Sequence, residues 1–438
     1  MTPRLTAQRV QRPCSHISSS KNKPFNLAML TALSMAALLA SAPTLAAIDD
    51  ATVLKLIKQV EALTEKVDKL ENADKQLREE NIALRQQVDA SSKVSAKSAE
   101  NLAWTERVTL KGDMRYRYEN IDDETKASDR NRSRVRARIE VQTQINNDWM
   151  IGLGLASGSD NPTSTNQTLG AGGSSKGINL DLAYFDYSGF TNTHVIGGKF
   201  KTPFYRPGKN GLIWDGDYRP EGLAVQYDNG ILFANGAYLY LESDNKAGDQ
   251  DAESIWGAQF GLKTALNDTT QLIVGLSYYD FSVADSKPFF DDGSFGNTLV
   301  LNGADMVFLN DYRELELFSE LTFKVGDLPA SVFFDWVENQ DASDNETAWA
   351  AGAQLGKAKN PGTWQLAYIY EDIEADAVFG LTTESDFSGG GTNGKGHVIR
   401  AVYALDKNVS LALNYFMNED GDLETDYDRL QMDLKLKY

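Results

Sequence analysis

The sequence predicts an all-β transmembrane barrel of about 16 antiparallel strands, preceded by an N-terminal α-helical coiled coil. Three observations support this fold class: an export signal at the start, a heptad pattern behind it, and period-two alternation across residues 105–438. After residue 47 no apolar segment approaches the roughly 18 to 20 residues that a spanning helix requires. If the chain enters a membrane, it must therefore do so as a closed barrel, which satisfies its own backbone in lipid.

Residues 1–47 have the organisation of a cleaved secretory signal peptide. Five Lys or Arg residues and no acid precede the uncharged apolar run FNLAMLTALSMAALLASA at 25–42, and small residues follow it. Cleavage is expected after Ala46 or Ala47, with an uncleaved anchor as the alternative. Together with a barrel, this signal predicts location in the cell outer membrane.

Composition narrows the possible functions. The single cysteine, Cys14, lies ahead of the apolar run, so cleavage would leave a chain without a disulfide. Removal of five cations and no acids would move the formal net charge from −19 to −24. A chain this acidic is not expected to bind nucleic acid. No motif indicates a cofactor or a metal site.

Residues 48–92 form the predicted coiled-coil segment, which we expect in the periplasm. Valines occupy one core position of a seven-residue repeat, and the other core position is filled at every repeat by Leu56, Leu63, Leu70, Leu77 and Leu84. The pattern predicts a homo-oligomer formed through residues 53–88, with a trimer favoured and a dimer left open. A single amphipathic helix lying on the folded body is the alternative. Residues 93–104 have the composition of a polar linker before the barrel at 105–438.

Sixteen segments of residues 105–438 alternate as strands do. In KGDMRYRYEN at 111–120 charged residues occupy one face, whereas Met114, Tyr116 and Tyr118 share the other and are expected to meet lipid. The last segment, DRLQMDLKLKY, alternates in the same way and ends on the aromatic Tyr438. Segments near 149, 221 and 348 alternate weakly, so fourteen or eighteen strands remain open.

The connections between these segments alternate in length. Short turns such as NND, DNG and DKN interleave with long loops such as those at 159–176, 283–306 and 375–396. Short turns at one end and long loops at the other are typical of an outer-membrane barrel with periplasmic turns and external loops. A secreted soluble solenoid or sandwich is the alternative, but its connections need not alternate in this way.

Four stretches resemble the putative porins of Gram-negative outer membranes: LKGDMRYRYEN, NRSRVRARIEV, GGKFKTPFYRPG with LIWDGDYRPEG, and the closing LQMDLKLKY. A heptad segment ahead of a barrel is also similar, more distantly, to the phosphate-selective porin family. The resemblance covers nearly all of the mature chain and implies a water-filled diffusion channel, commonly a trimer. It implies no catalytic residues and names no solute. Outer-membrane lipid and lipopolysaccharide would be the surrounding partners.

A row of cationic residues supplies the predicted pore lining. A lipid-facing Arg costs about 2 to 4 kcal/mol at the membrane midplane, so these side chains are expected to face the lumen. Cationic rows favour anions, which makes anion preference a further hypothesis; strongly acidic loops are the opposing observation. The predicted pore-lining residues are Arg115, Arg117, Arg132, Arg134, Arg136, Arg138, Lys199 and Lys201.

The third external loop is the predicted constriction, by analogy with diffusion porins that fold this loop inward. Its mixed charges could set a field across a narrow pore; an ordinary solvated loop or a subunit contact is the alternative. The residues concerned are Arg206, Lys209, Trp214, Asp215, Asp217 and Arg219.

The sequence therefore predicts an outer-membrane porin for passive diffusion of small hydrophilic solutes or ions. An enzyme is disfavoured, because GxSxG and HExxH are absent and His194 and His397 are expected at opposite ends of the barrel. The remaining alternative is a structural tether or receptor whose coiled coil contacts the periplasm or peptidoglycan.

Overall fold

The computed structural model describes residues 50–102, 105–243, 252–421 and 424–438. The predicted signal peptide, its cleavage site and Cys14 lie outside these residues. The chain divides into two units, Met1–Ala96 and Lys97–Tyr438, so the boundary falls within the segment predicted to be a linker.

The described part of the first unit is formed by one long helix, α1 (Asp50–Leu102), of 53 residues, whose last residues are counted with the second unit. Its core heptad side chains are exposed in the single chain; Leu63 and Leu70, for example, are 61% and 69% exposed. The helix continues through 93–102, where the sequence predicts a linker, because that stretch lacks glycine and proline and is rich in helix-forming residues. Among the described residues, none of the helices combines the length and apolar content needed for a membrane span.

The second unit is built from antiparallel strands joined to their neighbours in sequence. Their bounds are β1 (Val108–Asp123), β2 (Arg130–Gln144), β3 (Trp149–Ser157), β4 (Gln167–Thr168), β5 (Ile178–Phe190), β6 (Thr193–Lys199), β7 (Glu221–Asp228), β8 (Leu232–Tyr240), β9 (Ser254–Asn267), β10 (Thr270–Phe281), β11 (Leu299–Asn302), β12 (Asp305–Phe308), β13 (Tyr312–Val325), β14 (Leu328–Asn339), β15 (Thr347–Gly356), β16 (Trp364–Ile373), β17 (Gly394–Asp406), β18 (Val409–Asp420) and β19 (Thr425–Lys437).

Sixteen of these strands form a closed barrel, which confirms the predicted strand number. Closure occurs between β1 and β19, where Met114 lies opposite Leu436 and Arg117 opposite Asp433. The weakly alternating segments at 149, 221 and 348 are the full strands β3, β7 and β15. The two-residue β4 and the β11–β12 hairpin belong to long connections.

The two faces of the strands differ as period-two alternation requires. On β1, Met114 and Tyr116 are 47% and 45% exposed on the outer surface, whereas Arg115 and Arg117 are buried on the inner one. The interior is also filled by three long connections, 200–220, 282–311 and 374–393. Their apolar side chains pack against inward residues of the wall, including Tyr279 on β10.

Candidate functional site

Seven arginines line one side of the barrel interior; we call them the cationic wall. In the register of β1 and β2, Arg115 lies opposite Arg136 and Arg117 opposite Arg134, so like charges are direct neighbours. Such an arrangement requires carboxylates between the guanidinium groups. The wall consists of Arg115, Arg117, Arg132, Arg134, Arg136, Arg138 and Arg429.

Buried carboxylates of the barrel compensate one end of the cationic wall. Glu119, fully buried, accepts hydrogen bonds from Arg132 and, at 2.7 Å, from Nη2 of Arg429. The two carboxylate oxygens of Asp433 accept from Nε and Nη2 of Arg117 at 2.7 and 3.0 Å. This bidentate geometry is the stronger form of an Arg–carboxylate pair.

Arg136 and Arg138 share two carboxylates of different origin. Asp113 of β1 lies 2.9 Å from Nη2 of Arg136 and 2.6 Å from Nη2 of Arg138. Asp217, which belongs to the connection 200–220, lies 3.2 Å from Nη1 of Arg136 and 2.7 Å from Nη1 of Arg138. The predicted constriction loop therefore folds inward and meets the cationic wall.

Arg115 and Arg134 are the least compensated members of the cationic wall. Their shortest separations from a carboxylate oxygen are 3.9 Å, from Arg115 to Asp433, and 4.0 Å, from Arg134 to Glu119. Arg115 also donates to Asn166 at 2.6 Å. The Nε atoms of both arginines are buried and have no hydrogen-bond partner in the part of the chain that the structure describes.

Trp214 fixes the constriction loop to the opposite side of the barrel. Its ring stacks on Phe204 with centroids 5.5 Å apart and meets Tyr279 edge to face at 5.4 Å. With 2% of its surface exposed, Trp214 lies in the inserted loop but does not line open space. Its large apolar ring is instead buried in the aromatic cluster, where it anchors the loop.

The charged residues of this loop lie in contrasting environments. Burial, together with the neighbouring Asp217 charge, raises the pKa of Asp215 to about 8. For Asp217, burial also acts to raise the pKa, but Arg136 and Arg138 outweigh it and hold the pKa below its usual value. Arg219 is buried and lies 3.4 Å from Asp181.

The other two cations of the loop border a polar cavity beside the cationic wall. Lys209 is exposed to this space. Arg206 donates from Nη1 to the backbone oxygen of Trp214 at 2.6 Å. The fold thus places all six predicted loop residues inside the barrel, with Trp214 in its apolar part.

The connection 374–393 is a second inserted loop, which sequence reasoning assigned to the exterior. Its Asp386 carboxylate lies 3.0 Å from Nη1 of Arg117 and 2.8 Å from Nη2 of Arg429, and Glu384 pairs with Arg400 at 2.9 Å. The loop also joins the first insertion, since Thr382 Oγ1 donates to the backbone oxygen of Ile213 at 2.8 Å. In the sequence, the largely apolar segment DAVFGLTT at 376–383 was the signal that this loop packs inside the barrel.

Two polar cavities follow the cationic wall. One, of about 180 Å³, is bordered by Arg115 and Asp217; the other, of about 260 Å³, is bordered by Arg134 and Arg132. The residues Thr163, Ser385 and Asp386 border both cavities and form the partition between them.

The two predicted pore-lining lysines face different ways. Lys201 reaches Glu140 on the inner face of β2 at 2.7 Å. Lys199 is paired in register with Glu221 and forms an ion pair with it at 2.8 Å on the outward face of β7. The register of β6 therefore places Lys199 on the outward face and not in the lumen, whereas Lys201 lies beyond the end of β6 and can turn inward.

The far side of the interior buries acids with little compensation; we call Glu314, Glu316, Asp335 and Glu371 the carboxylate wall. Asp335 accepts from Asn210 of the constriction loop at 2.8 Å. Both oxygens of Glu371 and one each of Glu314 and Asp335 have no hydrogen-bond partner among the described residues.

The two described histidines do not share a site. His194 faces inward and contacts Asp186 at 2.8 Å, whereas His397 faces outward and contacts the Tyr368 hydroxyl at 2.7 Å. A histidine-based catalytic pair is therefore not formed by these residues.

Comparisons with known proteins agree with the barrel. The family model described as "Putative porin" matches residues 121–292 and 304–438. The structure of OprB from Pseudomonas putida at high pH has a TM-score of 0.54 at 10% identity, covering 78% of this chain and 96% of that one. This likeness supports the fold alone.

Two further structures show weaker similarity. OmpF from Salmonella typhi in complex with daunomycin has a TM-score of 0.47 at 11% identity, covering 76% of this chain and 97% of its own. A triple mutant of the Rhodopseudomonas blastica porin has a TM-score of 0.46 at 13% identity, covering 76% and 100%. None of the curated proteins matches the chain.

Proposed function

The chain belongs to the putative porin family, and from that premise we propose that it forms a water-filled channel for passive diffusion of small hydrophilic solutes or ions. The observation that carries this proposal is the closed sixteen-stranded barrel with an apolar outer face and a charged inner one. Membership of the family implies the outer membrane, and the predicted signal peptide supplies the export route.

The path that we propose runs beside the cationic wall. The two cavities bordered by the arginines lie there, and Trp214 is packed in the aromatic cluster across the interior. A third cavity, of about 640 Å³, is bordered by Tyr205, Gln226 and Asn235 on the side of β6–β9 and does not touch the cationic wall. We propose that this path is lined by Arg115, Arg134 and the other members of the cationic wall. The polar residues of the two inserted loops form its narrow section.

Anion preference is the finer part of the proposal. Arg115 and Arg134 support it, because their positive charge is only weakly compensated. Carboxylates at Arg117, Arg136 and Arg138 reduce the effect, so we expect a modest preference rather than exclusion of cations.

We also propose that residues 53–88 form a parallel coiled coil that holds the channel as a homotrimer. The exposed heptad leucines of α1 support this step, since a single chain leaves their apolar surface in water. Deletion of residues 50–95 should leave single-channel conductance unchanged but weaken the oligomer. Mass measurement in mild detergent reports the oligomeric state. Loss of conductance on deletion would contradict the assignment of the barrel as the complete channel.

Planar-bilayer recording tests the channel directly. Purified protein should produce discrete conductance steps, and a salt gradient should give a reversal potential of the sign expected for anions. Cation selectivity would contradict the anion preference and leave the channel intact. Folded barrels that do not conduct would contradict the channel itself.

A further inference from the structure

The partition between the two polar cavities is formed by two connections of the barrel. Ser385 Oγ donates to the backbone oxygen of Thr163 at 3.1 Å, which joins the connection 374–393 to the one between β3 and β5. Asp386, next in sequence, borders both cavities. A solute moving along the cationic wall meets this contact.

The side chain of Asp386 makes the contacts that the carboxylate group of a bound solute would make. Its two oxygens bridge Nη1 of Arg117 at 3.0 Å and Nη2 of Arg429 at 2.8 Å, on neighbouring strands. Both arginine side chains are almost completely buried, with 3% and 4% of their surface exposed. Charge-assisted hydrogen bonds from two guanidinium groups are strong and favour a planar carboxylate.

Arg115 and Arg134, on either side of this pair, each have a hydrogen-bond donor that is not used. Arg115 borders the cavity of about 180 Å³, and Arg134 borders the one of about 260 Å³. The buried Nε atom of each has no hydrogen-bond partner among the residues that the structure describes. Buried donors are usually satisfied, so these atoms indicate where an anion from solution would be received.

We propose that Arg117 and Arg429 form a binding site for the carboxylate group of a permeating solute, and that Asp386 occupies it as an internal ligand until the solute displaces it. This inference rests on the proposed channel function. Displacement would free Asp386 and Ser385 from the partition and join the two cavities. Three glycines with positive φ, Gly389, Gly390 and Gly391, follow this segment and allow its backbone to change direction.

The tether sets the concentration at which a free carboxylate competes. A short flexible tether would give Asp386 an effective concentration on the order of millimolar, which is the lower bound for a segment held by hydrogen bonds at Ser385 and Ser388. Solute carboxylates should therefore compete with Asp386 at millimolar or higher concentrations, and the site should release them readily. Both properties suit passage rather than storage.

Single-channel recording of the purified protein in planar bilayers tests this inference. Chloride is replaced stepwise by acetate at constant ionic strength, and the open probability of the channel is measured. For the wild type we expect open probability to rise at least twofold over the millimolar range of acetate. Asp386→Asn should be at least twofold more open without acetate and should respond no further.

Asp292→Asn is the matched control, because it removes the same charge from an exposed position in another long connection. It should behave as the wild type. Wild-type open probability that is independent of acetate, or equal behaviour of Asp386→Asn and Asp292→Asn, would overturn the inference. The wild-type titration needs no substitution, so the test stands even if Asp386→Asn does not fold.

The same experiment separates this inference from the channel function. A conducting wild type that ignores acetate contradicts the role of Asp386 alone. Absence of conductance from the wild type and both variants, with barrel structure shown by circular dichroism, contradicts the channel and the site together.

Discussion

The two sides of the barrel interior bury charge in opposite ways. On the cationic wall, the guanidinium of Arg117 lies within 3.0 Å of both Asp433 and Asp386. On the carboxylate wall, Glu371 is as deeply buried, yet neither of its oxygens has a hydrogen-bond partner among the described residues. Ionised groups need partners when they leave water, so the cationic wall can remain charged, whereas the carboxylate wall is poorly suited to it.

The inserted loops explain the difference. Connections 200–220 and 374–393 present Asp217 and Asp386 to the arginines but turn Trp214 and Phe379 toward the other side. Polar space therefore remains beside the cationic wall, and apolar packing surrounds Trp214 and Phe379. The inserted loops thus place their polar side chains against the cationic wall and their apolar ones away from it, and the proposed path follows the polar side.

The largest effect is expected from Glu119→Gln, compared with Glu371→Gln as its matched control. Loss of the Glu119 charge leaves Arg132 and Arg429 buried without their shared partner, which should lower the free energy of unfolding by about 3–5 kcal/mol. The Glu371 substitution replaces a buried acid whose two oxygens have no hydrogen-bond partner among the described residues, and it should cost little or stabilise. Urea unfolding in detergent micelles measures both, and equal losses would contradict the distinction between the walls.

Trp214→Ala should have the next largest effect, because it removes the aromatic anchor of the constriction loop. Truncation of a buried tryptophan costs about 3 kcal/mol or more, and the loosened loop should raise single-channel conductance. Trp364→Ala is the control, since Trp364 lies on the outer surface and is 42% exposed. Unchanged conductance in Trp214→Ala would show that the loop is held by other contacts.

A smaller effect should appear in the pH dependence of stability. The pKa of Asp215, raised to about 8, lies above its usual value of 3.8, so the folded state binds the additional proton between these limits. The stability that this proton contributes is therefore lost as pH rises from about 4 to about 8. The stability of Asp215→Asn relative to the wild type should increase from pH 5 to about pH 8 and level off above it. A margin independent of pH would contradict the raised pKa.

The smallest expected effect is on ion selectivity. Arg134→Ala removes a weakly compensated charge beside the proposed path and should lower the anion-to-cation permeability ratio about twofold. Lys199→Ala removes the same charge from the outward face, where Lys199 is paired with Glu221, and should leave the ratio nearly unchanged. Reversal potentials in a salt gradient measure both. Equal shifts would mean that the response reflects net charge rather than position.

Most of the fold was accessible from the sequence, whereas the candidate site was accessible only in part. The strand count and the inward face of β1 and β2 follow from alternation, which each strand carries locally. Lys201 shows where alternation fails, because β6 ends at Lys199 and the side chain of Lys201 turns to Glu140 on the inner face. Residues 331–339 of β14 gave a further hint: SVFFDWVEN has apolar residues on the inward face too, at Phe333 and Val337, as expected where packed loops cover the wall.

Sequence alone determined the barrel, the exposed heptad seam and the arginine row, because periodicity depends only on neighbouring residues. Tertiary structure decided which charges meet. Arg117 and Asp433 are 316 residues apart and pair only because β1 closes on β19, while Arg117 and Asp386, 269 residues apart, meet because a long loop enters the barrel. Closure and loop insertion depend on the packing of the whole chain, which no local pattern of residues records.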